Sequence, residues 1–154
     1  MTKQQWGWTA FLLAACGGSS TEPVQPARSA AAAVQGFMQA VADSNLAKMA
    51  SLWGTASGSA TKTRQPQDYE RRVAIMQAYL RNDSFRVTSD VPETDNRRAL
   101  QVELKRQTCT WSVPFVAVKS GVDAWLVNQV DLTAAGNPAR PCAEGSRADS
   151  LSQR

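Results

Sequence analysis

Asp90, Glu103, Asp123 and Asp131 are the acids nearest the strand-like part of this sequence, and Tyr69 and Tyr79 are its tyrosines. The chain contains no histidine. That removes the commonest side chain titrating near neutral pH, and with it histidine-dependent triads and metal sites. A carboxylate can still act as a base where burial raises its pKa. Yet Glu103 stands among Gln101 and Lys105 on a polar face, Asp123 falls in a turn, and Asp90 and Asp131 fall at strand ends. All four read as solvated or turn acids, so no catalytic residue is assigned. Tyr69 shares a helical stripe with Val73 and Met76, which favours core packing over a role as a pocket donor. Trp53, Trp111, Phe115 and Trp125 are large apolar groups that fill an interior more naturally than they recognise a ligand. With Tyr69 they are the candidates for lining a pocket.

Nucleotide and metal motifs fail on their spacing. Lys62-Thr63 is preceded by Thr61 where a phosphate loop needs glycine. Gly54 to Gly58 does not make a Gly-x-Ser-x-Gly serine elbow, and Cys109 and Cys142 lack the spacing and the histidines of a zinc site. No cofactor or metal is expected.

The third cysteine, Cys16, has the most telling surroundings. Behind Lys3 runs a short apolar stretch containing Trp6, Trp8, Phe11, Leu12 and Leu13, ending in Ala14-Ala15-Cys16. A positive start, a short apolar run and small residues before the cut fit an export signal, and the run is too short to span a bilayer. Leu13-Ala14-Ala15-Cys16 resembles the lipobox of bacterial lipoproteins. On that resemblance residues 1–15 are removed, Cys16 carries lipid, and the protein is anchored in the cell envelope outside the cytoplasm. Gly17 follows where an aspartate would signal inner-membrane retention, so the resemblance implies the outer membrane in a bacterium that has one. Lipid on Cys16 also makes sense of an odd cysteine count. Cys109 and Cys142 then remain as a pair, for which a disulfide is the default in an oxidising compartment and two separate thiols the alternative. Such a bridge contributes roughly 2–4 kcal/mol.

Cleavage takes away Lys3 as the sole charged residue, leaving sixteen of seventeen basic residues against thirteen acids, a net charge of +3. The basic residues are dispersed. Outside the cytoplasm nucleic acid is not an expected partner; a solvated surface, and attraction to anionic headgroups near the anchor, account for the balance.

The remaining chain divides into a tether over 16–29, one domain over 30–133 and an irregular polar tail over 134–154. Val34, Phe37, Met38 and Val41 follow helical spacing and predict a helix over 29–42. Asp43-Ser44-Asn45 breaks it and caps a second helix carrying Leu46, Met49 and Trp53. Residues 54–65 read as a loop, and Pro66 as the first turn of a third helix with Tyr69, Val73, Met76 and Leu80 on one face. The period then becomes two. Phe85, Val87, Ser89 and Val91 form one face of a strand, residues 92–97 a turn, and Leu100, Val102 and Leu104 the face of the next strand. Trp111, Val113, Phe115 and Ala117 mark a third strand, and Trp125 to Val130 a fourth. This is an α+β pattern of three N-terminal helices packed on an antiparallel sheet of about four strands.

Phe37-Met38-Gln39-Ala40-Val41-Ala42-Asp43-Ser44-Asn45-Leu46, with Met49 to Trp53, is similar to the opening helices of the nuclear transport factor 2-like superfamily. Gly121-Val122-Asp123-Ala124-Trp125-Leu126-Val127 resembles its final strand. The resemblance implies a curved sheet around a long helix, a cone with an apolar interior, as in small envelope lipoproteins. It implies a non-catalytic protein that binds a small apolar ligand or an envelope protein, with a homodimer through the open sheet face left open. The alternative it raises is a small isomerase- or dehydratase-like enzyme using a buried carboxylate.

Overall fold

The computed structural model describes residues 25–121, 124–140 and 142. The expected signal segment 1–15, the lipid-bearing Cys16 and most of the tail lie outside the described residues, as does Asp123. Helix α1 spans Ala30–Ala42 and begins where Ser29 Oγ accepts a hydrogen bond from the Ala32 amide at 3.1 Å. That cap satisfies one of the donors a helix start leaves unpaired, worth about 1 kcal/mol. Seven of its residues, Phe37 and Met38 among them, are buried. The helix ends as Ser44 turns left-handed at φ 54°. Asn45 Oδ1 then caps α2 (Leu46–Leu52) by accepting from the Lys48 amide at 2.9 Å.

The stretch expected to be a loop is partly ordered. Gly54–Thr55 (β1) and Gly58–Ser59 (β2) pair as a two-stranded hairpin, followed by the single helical turn α3, Ala60–Thr63. A side chain on Gly54 would run into the Gly58 carbonyl, so the close strand approach requires glycine there. Helix α4 starts at Tyr69 rather than Pro66 and runs to Leu80. The Tyr69 amide bonds the Pro66 carbonyl at 2.9 Å, a turn that precedes the helix proper.

Strands β3 (Ser84–Thr94), β4 (Arg97–Arg106), β5 (Cys109–Lys119) and β6 (Trp125–Val130) form an antiparallel sheet in the order β3-β4-β5-β6. Residues directly opposite each other in such a ladder share a face. Leu104, Val102 and Leu100 stand opposite Trp111, Val113 and Phe115, and this face meets the helices. The alternation expected along β3 is broken. Val87 opposes Val102 while Ser89 opposes Gln101, so Thr88 is an extra residue, a β-bulge. Beyond it Asp90 joins the face of Leu100, and Val91 turns outward to 55 % exposure. Nor are residues 92–97 all turn: β3 continues to Thr94, leaving Asp95-Asn96 to reverse the chain.

Three further pairings close the fold. Ala27, in the stretch expected to be tether, pairs antiparallel with Trp125, and Trp53 pairs in parallel with Val127. After β6 a single 3-10 turn, Leu132–Ala135, buries Ala135. Cys109 and Cys142 lie at disulfide distance, with Cα atoms 5.8 Å apart.

Candidate functional site

The interior is built from α1 and the face of the sheet that meets the helices. Phe37 meets Phe115 edge-on, ring centres 6.4 Å apart, and Met38, Met49, Leu80, Leu100 and Leu104 are among the fully buried residues around them. Ser59 and Gln77 are the buried polar residues among those described. Gln77 lies on α4 and donates from Nε2 to Ser44 Oγ at 3.2 Å.

The five aromatic pocket candidates do not converge on one site. Phe115 is a core residue at 1 % exposure. Trp53 ends α2 half-buried, its indole N–H donating to the Asn128 carbonyl at 3.1 Å, while Asn128 Nδ2 donates to the Gly54 carbonyl at 2.8 Å. These bonds lock the hairpin to β6. Tyr69 is half-buried, and its hydroxyl donates to Glu70 Oε1 at 3.1 Å, away from the core. Trp111 lies under the Arg106 guanidinium, 5.0 Å from the ring centre, near Gly136. Trp125, at the start of β6, lines a cleft.

That cleft, of about 300 Å³, lies between the N-terminal arm (Gln25, Pro26, Ala27), α2, the β2–α3 segment and the start of β6. Its lining mixes hydroxyl residues (Ser51, Ser59, Thr61 and Ser120) with Lys62 and with apolar groups, Leu52, Trp125 and Leu126 among them; the Ser120 amide donates to the Ala124 carbonyl, next to Trp125, at 2.7 Å. Ser59 and Thr61 hydroxyl oxygens are 3.1 Å apart. No carboxylate is among its described lining residues. A second cleft, about 340 Å³, lies where α1 and α4 end against the β4–β5 turn, lined by Gln77, Arg81, Asp83 and Arg106 among others. Arg106 donates from Nη2 to the Tyr79 carbonyl at 2.6 Å and from Nε to the Arg81 carbonyl at 2.8 Å. It therefore satisfies carbonyls that the end of α4 leaves open, and neutralises the negative end of the helix dipole. Burial lowers the Arg106 pKa from its ordinary value, with the neighbouring Arg81 acting in the same direction and Asp83 opposing.

The strand acids are engaged by other groups. Asp90, brought inward by the bulge, pairs with the Arg98 guanidinium; the two side chains keep 27 % and 31 % exposure. Glu103 pairs with Arg86 at 2.9 Å on the solvent face. Asp131 accepts from the Thr133 hydroxyl at 2.6 Å and from its amide at 3.0 Å. The hydroxyl bond, more than the backbone ones, holds the Asp131 carboxyl below its usual range.

Lys62 and Thr61 entered the sequence reading through a failed phosphate-loop comparison, and Ser51, Ser59 and Ser120 did not enter it at all. The available signal was the density of hydroxyl residues over 51–63, which a glycine-rich loop also shows. Compared with known proteins, the sequence matches no family model and no curated protein.

Proposed function

We propose that this chain is an envelope lipoprotein whose folded domain binds rather than reacts. Cys16 carries the lipid, and the outer membrane is its site in a bacterium that has one. The observation that supports the binding reading best is the make-up of the interior: every buried side chain among the described residues is apolar except Ser59 and Gln77. A general base needs hydrogen-bond reach to a substrate held away from water. Asp90 and Glu103 face arginines, Asp131 faces Thr133, and the Tyr69 hydroxyl faces Glu70. The buried-carboxylate alternative therefore has no support among the described acids.

In finer terms, we read helices followed by a four-stranded meander as a nuclear transport factor 2-like cone, with three N-terminal helices on a curved sheet. The interior is filled by its own side chains, Phe37 and Phe115 among them, so a small apolar ligand or an envelope protein would be met outside that core. Gln25 stands nine positions after Cys16, and nine residues span at most about 30 Å even when fully extended. The domain would work at the membrane surface, not in free solution.

Fractionation of cells expressing Cys16→Ala tests the anchor. The wild-type chain is expected with membranes and the variant in the soluble fraction. Retention of the variant on membranes at high salt refutes the assignment.

A further inference from the structure

We propose that the cleft beside the N-terminal arm binds the anionic headgroup of a phospholipid in the membrane that holds Cys16. The proposal rests on the lipoprotein reading above, and three observations carry it.

The first is position. The Trp125 amide donates to the Ala27 carbonyl at 2.8 Å, so the arm is fastened at the cleft itself, and Gln25, Pro26 and Ala27 form one of its walls. On the lipoprotein reading that wall stands nine positions from lipidated Cys16, while each headgroup layer is roughly 5–7 Å deep. The cleft is thereby held next to the headgroups.

The second is chemistry. Ser59, Thr61 and Ser120 bring hydroxyls to the lining and Lys62 an ammonium, while the Ser51 hydroxyl is already donated to the Lys48 carbonyl at 2.7 Å. Phosphate oxygens accept from hydroxyls and ammonium groups, and lysine serves phosphate as a point charge. Lys62 makes no ion pair with another described residue. Ser59 is more than nine-tenths buried and its hydroxyl is fixed against that of Thr61, so this part of the lining is pre-formed.

The third is the apolar part of the lining. Pro26, Leu52, Trp125 and Leu126 are apolar, and a half-buried tryptophan suits the boundary between headgroup and acyl chain, where its ring is amphipathic. A volume of about 300 Å³ is at the lower end of small-ligand sites, enough for a glycerophosphate headgroup.

The test uses the mature chain from residue 16 with Cys16→Ser, so that vesicle binding is read without lipid. It is sedimented with phosphatidylcholine vesicles and with vesicles of equal phosphatidylcholine and phosphatidylglycerol. Binding is expected to favour the anionic vesicles. Lys62→Gln should weaken it about fivefold, the loss expected for one basic residue at an anionic surface. Lys105→Gln makes the same charge change at the other end of the sheet, where Lys105 pairs with Thr110 at the start of β5, and should leave binding unaltered. Thr61→Val should weaken binding while leaving the melting temperature close to wild type. No preference for phosphatidylglycerol, or equal losses from Lys62→Gln and Lys105→Gln, overturns the site. Displacement by millimolar glycerol phosphate with no vesicle preference overturns the membrane as its source. Lipidation is read separately from the mass of the wild-type chain. An unmodified Cys16 with phosphatidylglycerol binding intact overturns the anchor and not the cleft.

Discussion

Truncating Phe115 to alanine asks whether the interior is a closed core or the wall of a binding space. Phe115 is 1 % exposed and packs edge-on against Phe37 at 6.4 Å. Its neighbours on the helix-facing side of the sheet, Val113, Leu100 and Ala117, are equally buried. A phenylalanine in such surroundings loses both its transfer free energy and the contacts of the cavity left behind, about 3–5 kcal/mol. Domains of this size unfold with roughly 5–15 kcal/mol, so the variant should remain folded but fragile. At about 4 °C for each kcal/mol, the melting temperature should fall by ~12–20 °C. Urea unfolding followed by circular dichroism measures the loss at equilibrium, and an unchanged slope would show that the same surface is exposed on unfolding. Phe115→Leu keeps most of the volume and should cost about 1 kcal/mol, which covers the case in which the alanine variant does not fold. A double-mutant cycle with Phe37→Leu should return a coupling of about 0.5–1.5 kcal/mol for the edge-on pair. A loss below about 1 kcal/mol for Phe115→Ala would refute the reasoning. It would mean that the ring borders open space, as expected of a pocket residue.

Two other outcomes follow from local geometry. Gly136 has φ 71°, and a Cβ there would come within 2.6 Å of the Trp111 indole nitrogen. Gly136→Ala should therefore cost about 1–3 kcal/mol through strain and displacement of the ring, and thermal melts at wild-type level would contradict the packing described. Asp131 is held as a carboxylate by the Thr133 hydroxyl, with its pKa lowered in the folded chain. Its contribution is present above the unfolded carboxylate value near 3.9 and fades as pH falls through the lower folded one. Unfolding midpoints of wild type and Asp131→Asn should thus differ at neutral pH and converge as pH falls below the usual carboxylate range. Parallel profiles would exclude the carboxylate as the source.

Much of the fold was legible because it is written locally. The spacing of Val34, Phe37, Met38 and Val41 marks α1 within a single stretch of chain, while the cap at Ser29 emerged only from the structure. Leu100, Val102 and Leu104 mark β4 in the same way, through the alternation of a half-covered strand. Residues 54–65 were less legible, since the hairpin and single turn there depend on bonds from Trp53 and Asn128 across the fold. The cleft was less legible still. Its walls come from four separate stretches of chain, and serines and threonines in a glycine-rich run look alike whether they line a cleft or face water.

Residue order by itself determined the succession of helices and strands, and which side chains of each are apolar, because helix and strand periods are properties of one segment. Tertiary structure decided what those segments face. The extra residue at Thr88 exists only in the pairing of β3 with β4, and it exchanged Asp90 for Val91 on the inner face. The pairing of Ala27 with Trp125 joins residues far apart in the chain. No local pattern encodes it, since its hydrogen bond forms only once the strand and the arm have been brought together.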